Sequence, residues 1–430
     1  MSEYIRVKGN IIEKTGGTSR VYAKGGIEHN SNGKIEYFAE SYSYGEPQKP
    51  PLKLMDGAVK EIELLTALDL GSANNKSGKT QQGMIFGNTY HFRVKSYMKD
   101  PPNNLSTIKW MIKYESPSQN KWLEIPLTAK GNSIKITLND EDMCGCFIYL
   151  RAYVYNKEKE AEYKEWKHNR FKWFDSMIVE SEITERTDNG KPWLIDQSGT
   201  SLCGMACIFY LFAKEQPDAY KKFAKELFRT GVATVNSYTV KPSIEILEKN
   251  PMGKDFPHNG TPMFLIDYIT MAGTRNTDNR DYKGGNEEFQ AINWPPLMTS
   301  LSEKLLGYKD VVSKGVYNPV KPLAYSSLDI KNKIDDINNQ FKSGYKLILM
   351  IDSDLIDDIW DTSSLDLHWI VLESPIIWNY IPGLLGVKLD EIDFKVYTWG
   401  TDPNGTNRYL KKVITSSHFI NNYNGYIKMK

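Results

Sequence analysis

Between residues 60 and 155 the chain alternates apolar and polar positions. Ile108, Trp110, Ile112 and Tyr114 alternate with Lys and Met, Ile134, Ile136 and Leu138 with polar partners, and Ile148, Leu150, Ala152 and Val154 line one side of a further run. A period of two is the pattern of half-buried strands. Gly, Asn and Pro clusters separate the runs. Several short alternating strands predict an antiparallel sandwich of immunoglobulin-like type over 61–155. The Cys…Trp…Cys framework of antibody domains is missing, so the expectation is one of architecture. Such a module more often binds or spaces than catalyses.

After residue 176 the pattern turns helical. Met205, Ile208, Phe209, Leu211 and Phe212 make the run from Cys203 to Lys214 apolar almost throughout, as in a buried central helix. Pro217 opens a second helix with Tyr220, Phe223, Ala224 and Leu227 at helical spacing, and Gly231 stands where a C-cap belongs. Further helices are predicted near 243–249, 262–272, 295–306 and 327–342. Strands follow at Lys346–Asp352, His368–Glu373, Phe394–Trp399 and Tyr426–Met429. A helical half before a strand half reads as α+β. Residues 156–178 are charged with aromatic interruptions and read as a solvated helix or linker, with His168 on its surface. Residues 1–60 end in the breaker stretch Gly45–Pro51 and read as short β-like pieces, either a delivery-related segment or a plain β element. The expected units are therefore 1–60, 61–155, a linker over 156–178, and 179–430.

Charge removes some function classes. Lys plus Arg is 54 against 53 Asp plus Glu, which gives no electrostatic case for a nucleic-acid or membrane partner. No apolar run of about 18 residues exists to span a membrane. The start, MSEYIRVKGN, lacks the apolar stretch of a secretory signal, so export of this soluble chain would need another route. Cys144 and Cys146 form a C-x-C, and Cys203 and Cys207 lie one helical turn apart. Neither spacing is that of a zinc site, and no cofactor is expected.

The informative stretch runs from Asp196 to Gly204. A Ser/Gly/Thr loop leads into the apolar helix, which Cys203 opens. The unpaired N–H groups there favour thiolate, the species that attacks a carbonyl. Gly204 leaves space for a substrate backbone. Gln197, upstream on the loop, is the candidate oxyanion donor together with the Cys203 N–H. The base must come from elsewhere. Of six His, His29 and His91 lie in the amino-terminal regions, His168 in the linker, His258 in a loop and His418 near the end. His368 opens the apolar strand His-Trp-Ile-Val-Leu, well placed to face a helix amino terminus, and is the candidate base.

Gln-x5-Cys-Gly, a distant His starting a strand, and Thr398-Trp399-Gly400 resemble the order of the papain-like peptidases. That family carries Gln, Cys on a central helix, His, and an Asn within Asn-Ser-Trp-Gly. Gln197, Cys203 and His368 match, as do Trp399 and Gly400. The family's Asn falls on Tyr397, which cannot play the usual part, and leaves Thr398 and Asp402 as candidates for the third member. Asp402 lies in Asp-Pro-Asn-Gly, which resembles a stretch of some bacterial cysteine-protease effectors. The resemblance implies a papain-like domain over 179–430.

The segment from Thr200 onward also resembles carboxy-terminal toxin domains of type VI secretion effectors of Bacteroidetes-like bacteria. Ser-Leu-Cys-Gly-Met-Ala, Thr274–Asn279, His-Trp-Ile-Val-Leu and Val-Tyr-Thr-Trp-Gly carry the likeness. The stretches Phe92–Tyr97 and Ile108–Trp110 are similar to leader regions of such effectors. What this implies is an antibacterial effector, secreted without a signal peptide and delivered into target cells. Its substrate would be protein or peptidoglycan, and its partners a cognate immunity protein and a component of the secretion apparatus. The chemistry expected is thiol-dependent hydrolysis of an amide through an acyl-enzyme. An acyltransferase or deamidase would use the same pair, and a non-catalytic binding module with an inert Cys203 is the alternative of another class.

Overall fold

A computed structural model describes residues 56–286, 289–316, 325–356, 367–381, 389–405 and 414–430. The segment expected over 1–60 lies outside them up to residue 55. The described chain is mixed α+β: β-sheets first, then a helical region, then an antiparallel sheet.

The alternating runs become strands. These are β1 (Val59–Leu64), β2 (Asp69–Ser72), β3 (Thr80–Ile85), β4 (Thr89–Tyr97), β5 (Lys109–Ser116), β6 (Lys121–Lys130), β7 (Ser133–Thr137), β8 (Cys146–Tyr153) and β9 (Ala161–His168). One sheet has the order β1-β4-β7, the other β2-β3-β9-β8-β5-β6. Their inner faces share one core, with Val59, Tyr90, Phe92 and Ile134 from the first against Trp110, Ile112, Tyr114 and Leu150 from the second. Period two thus decides burial, as the sequence predicts. All pairings in the two sheets are antiparallel except β3 with β9, which is parallel.

The stretch expected as a charged linker over 156–178 differs from that reading. Residues 161–168 are strand β9, hydrogen-bonded between β3 and β8. His168 is buried, with its ring wedged between Gly71 and Gly83, where any Cβ would lie 2.8 Å from the imidazole. Phe171 and Phe174 already belong to the core of the helical region. The charges misled because Glu162 and Lys164 point outward while Ala161 and Lys167 point in, an alternation hidden by charge density.

The helical region comprises α1 (Ser176–Arg186), α2 (Cys203–Glu215) and α3 (Pro217–Thr230), then the hairpin β10 (Ala233–Val235) with β11 (Tyr238–Val240). Next come α4 (Ile244–Leu247), the short pair β12 (His258–Asn259) and β13 (Thr261–Pro262), and α5 (Leu265–Asp267). A π-helical turn joins α5 to α6 (Gly273–Asp278), and α7 (Pro295–Lys304) follows. As the sequence predicts, α2 is buried from Cys203 to Ala213, and Gly231 caps α3 in the left-handed conformation at φ 75°.

The last part contains β14 (Val311–Lys314), α8 (Ser327–Lys342), β15 (Lys346–Asp352), β16 (Leu367–Leu372), β17 (Ile377–Ile381), β18 (Leu389–Asp393), β19 (Val396–Tyr397), α9 (Ser416–Asn422) and β20 (Tyr423–Met429). The main sheet runs β14-β20-β15-β16-β19. It is buried on both faces. Ile348, Met350, Trp369 and Val371 join the core around α2 and α3, whereas Leu347, Leu349, Ile351 and Ile370 join a second core that includes Ile330 and Ile334 of α8 and Phe419 of α9. A sheet covered on both sides explains why β15 and β16 read as continuous apolar runs. Among the described residues no helix is long and apolar enough to cross a membrane.

Candidate active site

Two loops and a strand converge at the amino end of α2. The first is the stretch Ile195–Leu202. A buried ion pair anchors it: Arg186 Nε and Nη2 reach Asp267 Oδ1 and Oδ2 at 3.0 and 2.7 Å. Burial works against the Arg186 charge, but Asp267 outweighs it and holds the guanidinium protonated. The spare capacity of the pair grips the loop, since the Asp196 N–H donates to Asp267 Oδ2 at 2.9 Å and Arg186 Nη2 donates to the Leu194 carbonyl at 3.1 Å. Ser198 sits at φ 52°, a left-handed turn unusual for a non-glycine residue.

The second loop follows β19. Tyr397 stacks flat on Tyr210 of α2, with centroids 3.8 Å apart, and its hydroxyl donates to the Ile195 carbonyl at 2.5 Å. Gly400, at φ 65°, lies so close to Asp196 that a Cβ would come within 3.1 Å of the Asp196 Cβ. Tyr397 therefore ties the loop after β19 to the loop before Cys203.

The third element is β16, which packs against α2. His368 is buried at 5% exposure. Its Nε2 lies 2.8 Å from Thr398 Oγ1, and its ring stacks on Trp399 at 4.3 Å. Trp399 has φ 42°, and this break in the strand's alternation lets Thr398 and Trp399 both meet the imidazole. Of the two candidates for the third position, Thr398 is the one at the imidazole. Asp402 is not: its Oδ1 accepts from the Asn404 N–H at 2.9 Å within a turn.

Cys203 opens α2 as the sequence predicts, and its sulfur lies by the backbone N–H groups of Cys203, Gly204 and Trp369. Trp369 directly follows His368, so the thiol meets β16 at the residue next to the imidazole. The thiol and the imidazole are not hydrogen-bonded to each other. The expectation of a resting thiolate also changes. Burial pushes the Cys203 thiol up to about 11, against the lowering by those three N–H groups. Burial likewise pushes His368 down to about 3. Desolvation outweighs the helix terminus, and both partners rest neutral.

The structure also gives the contacts of Gln197 and Gly204. Gln197 is buried near Cys203 in sequence, but its Nε2 donates to the Thr200 carbonyl at 2.8 Å, while Thr200 Oγ1 donates back to the Gln197 carbonyl at 2.6 Å. The amide fastens the loop. Gly204 leaves no room for substrate: a Cβ there would lie 2.6 Å from Asn293 Cβ and from Met298 Sδ. The glycine is needed for the close approach of α7 and the segment before it. Asn293 is fully buried, its side-chain amide has no hydrogen-bond partner, and its backbone carbonyl accepts from the Trp369 indole at 2.9 Å. Nothing in the sequence around Asn293 announces this position.

His418 Nε2 is 2.9 Å from the Asp354 carbonyl, and His258 pairs through its backbone with Asn286, so neither competes as base. Among the described residues no group of three or more His, Cys, Asp or Glu is arranged to hold a metal ion. Compared with protein-family models, curated proteins and solved structures, the chain matches none.

Proposed function

We propose that the region from the end of β9 onward is a papain-like thiol hydrolase, a peptidase or amidase, in which Cys203 attacks an amide carbonyl and His368 moves the proton. The observation that carries this reading is the meeting of the start of α2 with β16, where the Cys203 sulfur lies by the Trp369 N–H and the neighbouring His368 is hydrogen-bonded to Thr398 and covered by Trp399. With Nε2–H donating to Thr398 Oγ1, Nδ1 is the nitrogen that takes the thiol proton. The sulfur then bonds to the carbonyl carbon, and the Cys203 and Gly204 N–H groups face the developing oxyanion. The C–N bond breaks as the leaving amine takes the proton from Nδ1. Water, deprotonated by the same nitrogen, releases the acyl group.

Since both groups rest neutral, the pair becomes reactive when substrate or a small opening moves the imidazole to the thiol. Catalytic hydrogen bonds that tighten only in the complex are common. In this reading Thr398 orients the base and Gln197 supports the loop. We further propose, from the likeness of the short stretches to secreted effectors, that the hydrolase is an antibacterial toxin delivered without a signal peptide and countered by an immunity protein, with the amino-terminal sandwich an immunoglobulin-like accessory unit.

A reactive-thiol probe tests the chemistry. Under the hydrolase reading, an electrophilic peptide amide analogue labels Cys203 in the folded protein, and His368→Ala prevents the labelling. An inert core thiol would be labelled only after denaturation. Growth of cells expressing the wild type or Cys203→Ala, with and without export to the periplasm, tests the toxin reading and the compartment. Equal growth in all four arms would remove it.

A further inference from the structure

Between α6 and α7 the chain crosses the start of α2 as a thin strip. It consists of one 3-10 turn, Phe289–Ala291, and irregular backbone up to Pro295. Ala291 and Asn293 turn inward, whereas Gln290 and Trp294 are exposed. Side chains of other elements hold four successive carbonyls of the strip. Asn279 Nδ2 donates to Gln290 at 3.4 Å, and the Trp369 indole donates to Asn293 at 2.9 Å. Between them Arg275 donates twice, from Nε to Ala291 and from Nη2 to Ile292, each at 3.1 Å. Arg275 is itself buried, and its Nη1 reaches Asp278 Oδ2 at 2.6 Å. Both donors on the α6 side belong to the stretch Thr274–Asn279.

We infer that this strip is a gate beside Cys203, latched shut at rest by Arg275 and Trp369. Cys203 is 9% exposed and His368 5%, so an amide substrate reaches the thiol only after something moves. The other elements around the sulfur are fixed from within. The start of α2 and β16 lie in the apolar core, the loop before Cys203 hangs on the buried pair of Arg186 and Asp267, and Tyr397 pins the loop after β19. The strip differs in two ways. Its latches are hydrogen bonds to carbonyls, which water replaces when the strip lifts. Its Asn293 amide is buried with neither its nitrogen nor its oxygen paired, so closure leaves a donor and an acceptor empty that opening would hydrate. The place matters as well. Asn293 packs on Gly204 and bonds to Trp369, and both of those residues present N–H groups to the Cys203 sulfur. Lifting the strip therefore frees the two residues that line the thiol.

The gate takes Cys203 as the nucleophile of the proposed hydrolase, but the two readings can fail separately. Alkylation by iodoacetamide reads access to the thiol, while the His368 dependence of labelling by the peptide analogue reads the chemistry. The full chain is alkylated in rising urea below its unfolding transition, and each cysteine is followed by peptide mass spectrometry. In the wild type, Cys203 should react slowly, with a rate that rises less steeply with urea than global unfolding does, as for a local opening. Cys207, one turn further into α2, should react only through global unfolding. Trp369→Phe keeps the ring and loses the indole N–H. Arg275→Lys keeps the charge and loses the fork that spans two carbonyls. Each should speed alkylation of Cys203 about tenfold, leave Cys207 slow and keep the shallow urea dependence. If Arg275→Lys does not fold, Trp369→Phe decides. The inference is overturned if wild-type Cys203 reacts as fast as in the unfolded chain. It is equally overturned if Cys203 follows global unfolding in every variant, or if Trp369→Phe leaves its rate unchanged.

Discussion

The sandwich and the region that follows it are stabilised by different means. In the sandwich, one core of alternating apolar side chains joins two sheets, and the buried Arg151 lies among Glu124, Glu158 and Glu162 near its rim. The following region has two cores on either side of one sheet, and it buries Arg186, Asp267, Gln197, Thr200, Asn293, His368 and Thr398 as well. Those polar groups gather around the start of α2. The sandwich buries polar groups too, Lys167 and His168 among them. Burying charge and amide groups costs several kcal/mol each unless they are paired, and beside α2 the pairing of Arg186 with Asp267 offsets that cost.

The largest expected effect falls on the pair itself. Cys203→Ala and His368→Ala should each reduce turnover roughly 10^3-fold or more, and the double variant no further, because both remove one step. Cys203→Ala should shift the urea midpoint little, since only one buried sulfur is lost. Single-turnover acylation measures this, and additive losses would separate the two residues.

Asp267→Ala leaves the Arg186 charge buried alone and should destabilise the region by about 3–5 kcal/mol in urea unfolding. Arg186→Met with Asp267→Leu, which removes both charges, should recover most of that. If the single change is harmless, the buried pair does not carry the loop before Cys203.

Acid probes the sandwich. Burial pushes His168 down to about 4. The imidazole is neutral in the fold and takes a proton readily only when unfolded, so its contribution is complete above about pH 6.5 and is lost as pH falls toward 4, up to roughly 3 kcal/mol. His168→Phe should remove that slope. His368 titrates in the same direction, pushed down to about 3, so His368→Ala should reduce the slope left in His168→Phe.

The smallest effect separates the two candidates for the third position. Thr398→Val removes one neutral hydrogen bond to the imidazole and should lower turnover roughly five- to tenfold. Asp402→Asn, which alters only a turn, should leave it unchanged. The reverse ranking would return Asp402 to the site.

What was legible in the sequence follows the same division. The runs at 108–114 and 148–154, the helix opened by Cys203 and the capped helix from Pro217 to Gly231 are local patterns, and local physics sets them. The parallel pairing of β3 with β9 is a long-range event, and its inward Lys167 and His168 look unlike a core. At the candidate site, residue type and order pointed to Cys203, His368 and Gln197, and left Thr398 and Asp402 open for the third position. The protonation of the pair could not be read because it depends on burial by segments far along the chain. Likewise the true contacts of Gln197 and Gly204 depend on Thr200, Asn293 and Met298 in three dimensions.

The stacking of Trp399 on His368 gives the protein an optical gauge. An indole lying flat on an imidazole is quenched when that imidazole gains a proton, because the cation is the better electron acceptor. The emission of Trp399 should be brightest with the imidazole neutral and should dim while it carries charge. The part of the fluorescence that disappears in Trp399→Phe therefore reports in real time when the histidine is protonated, with no label attached.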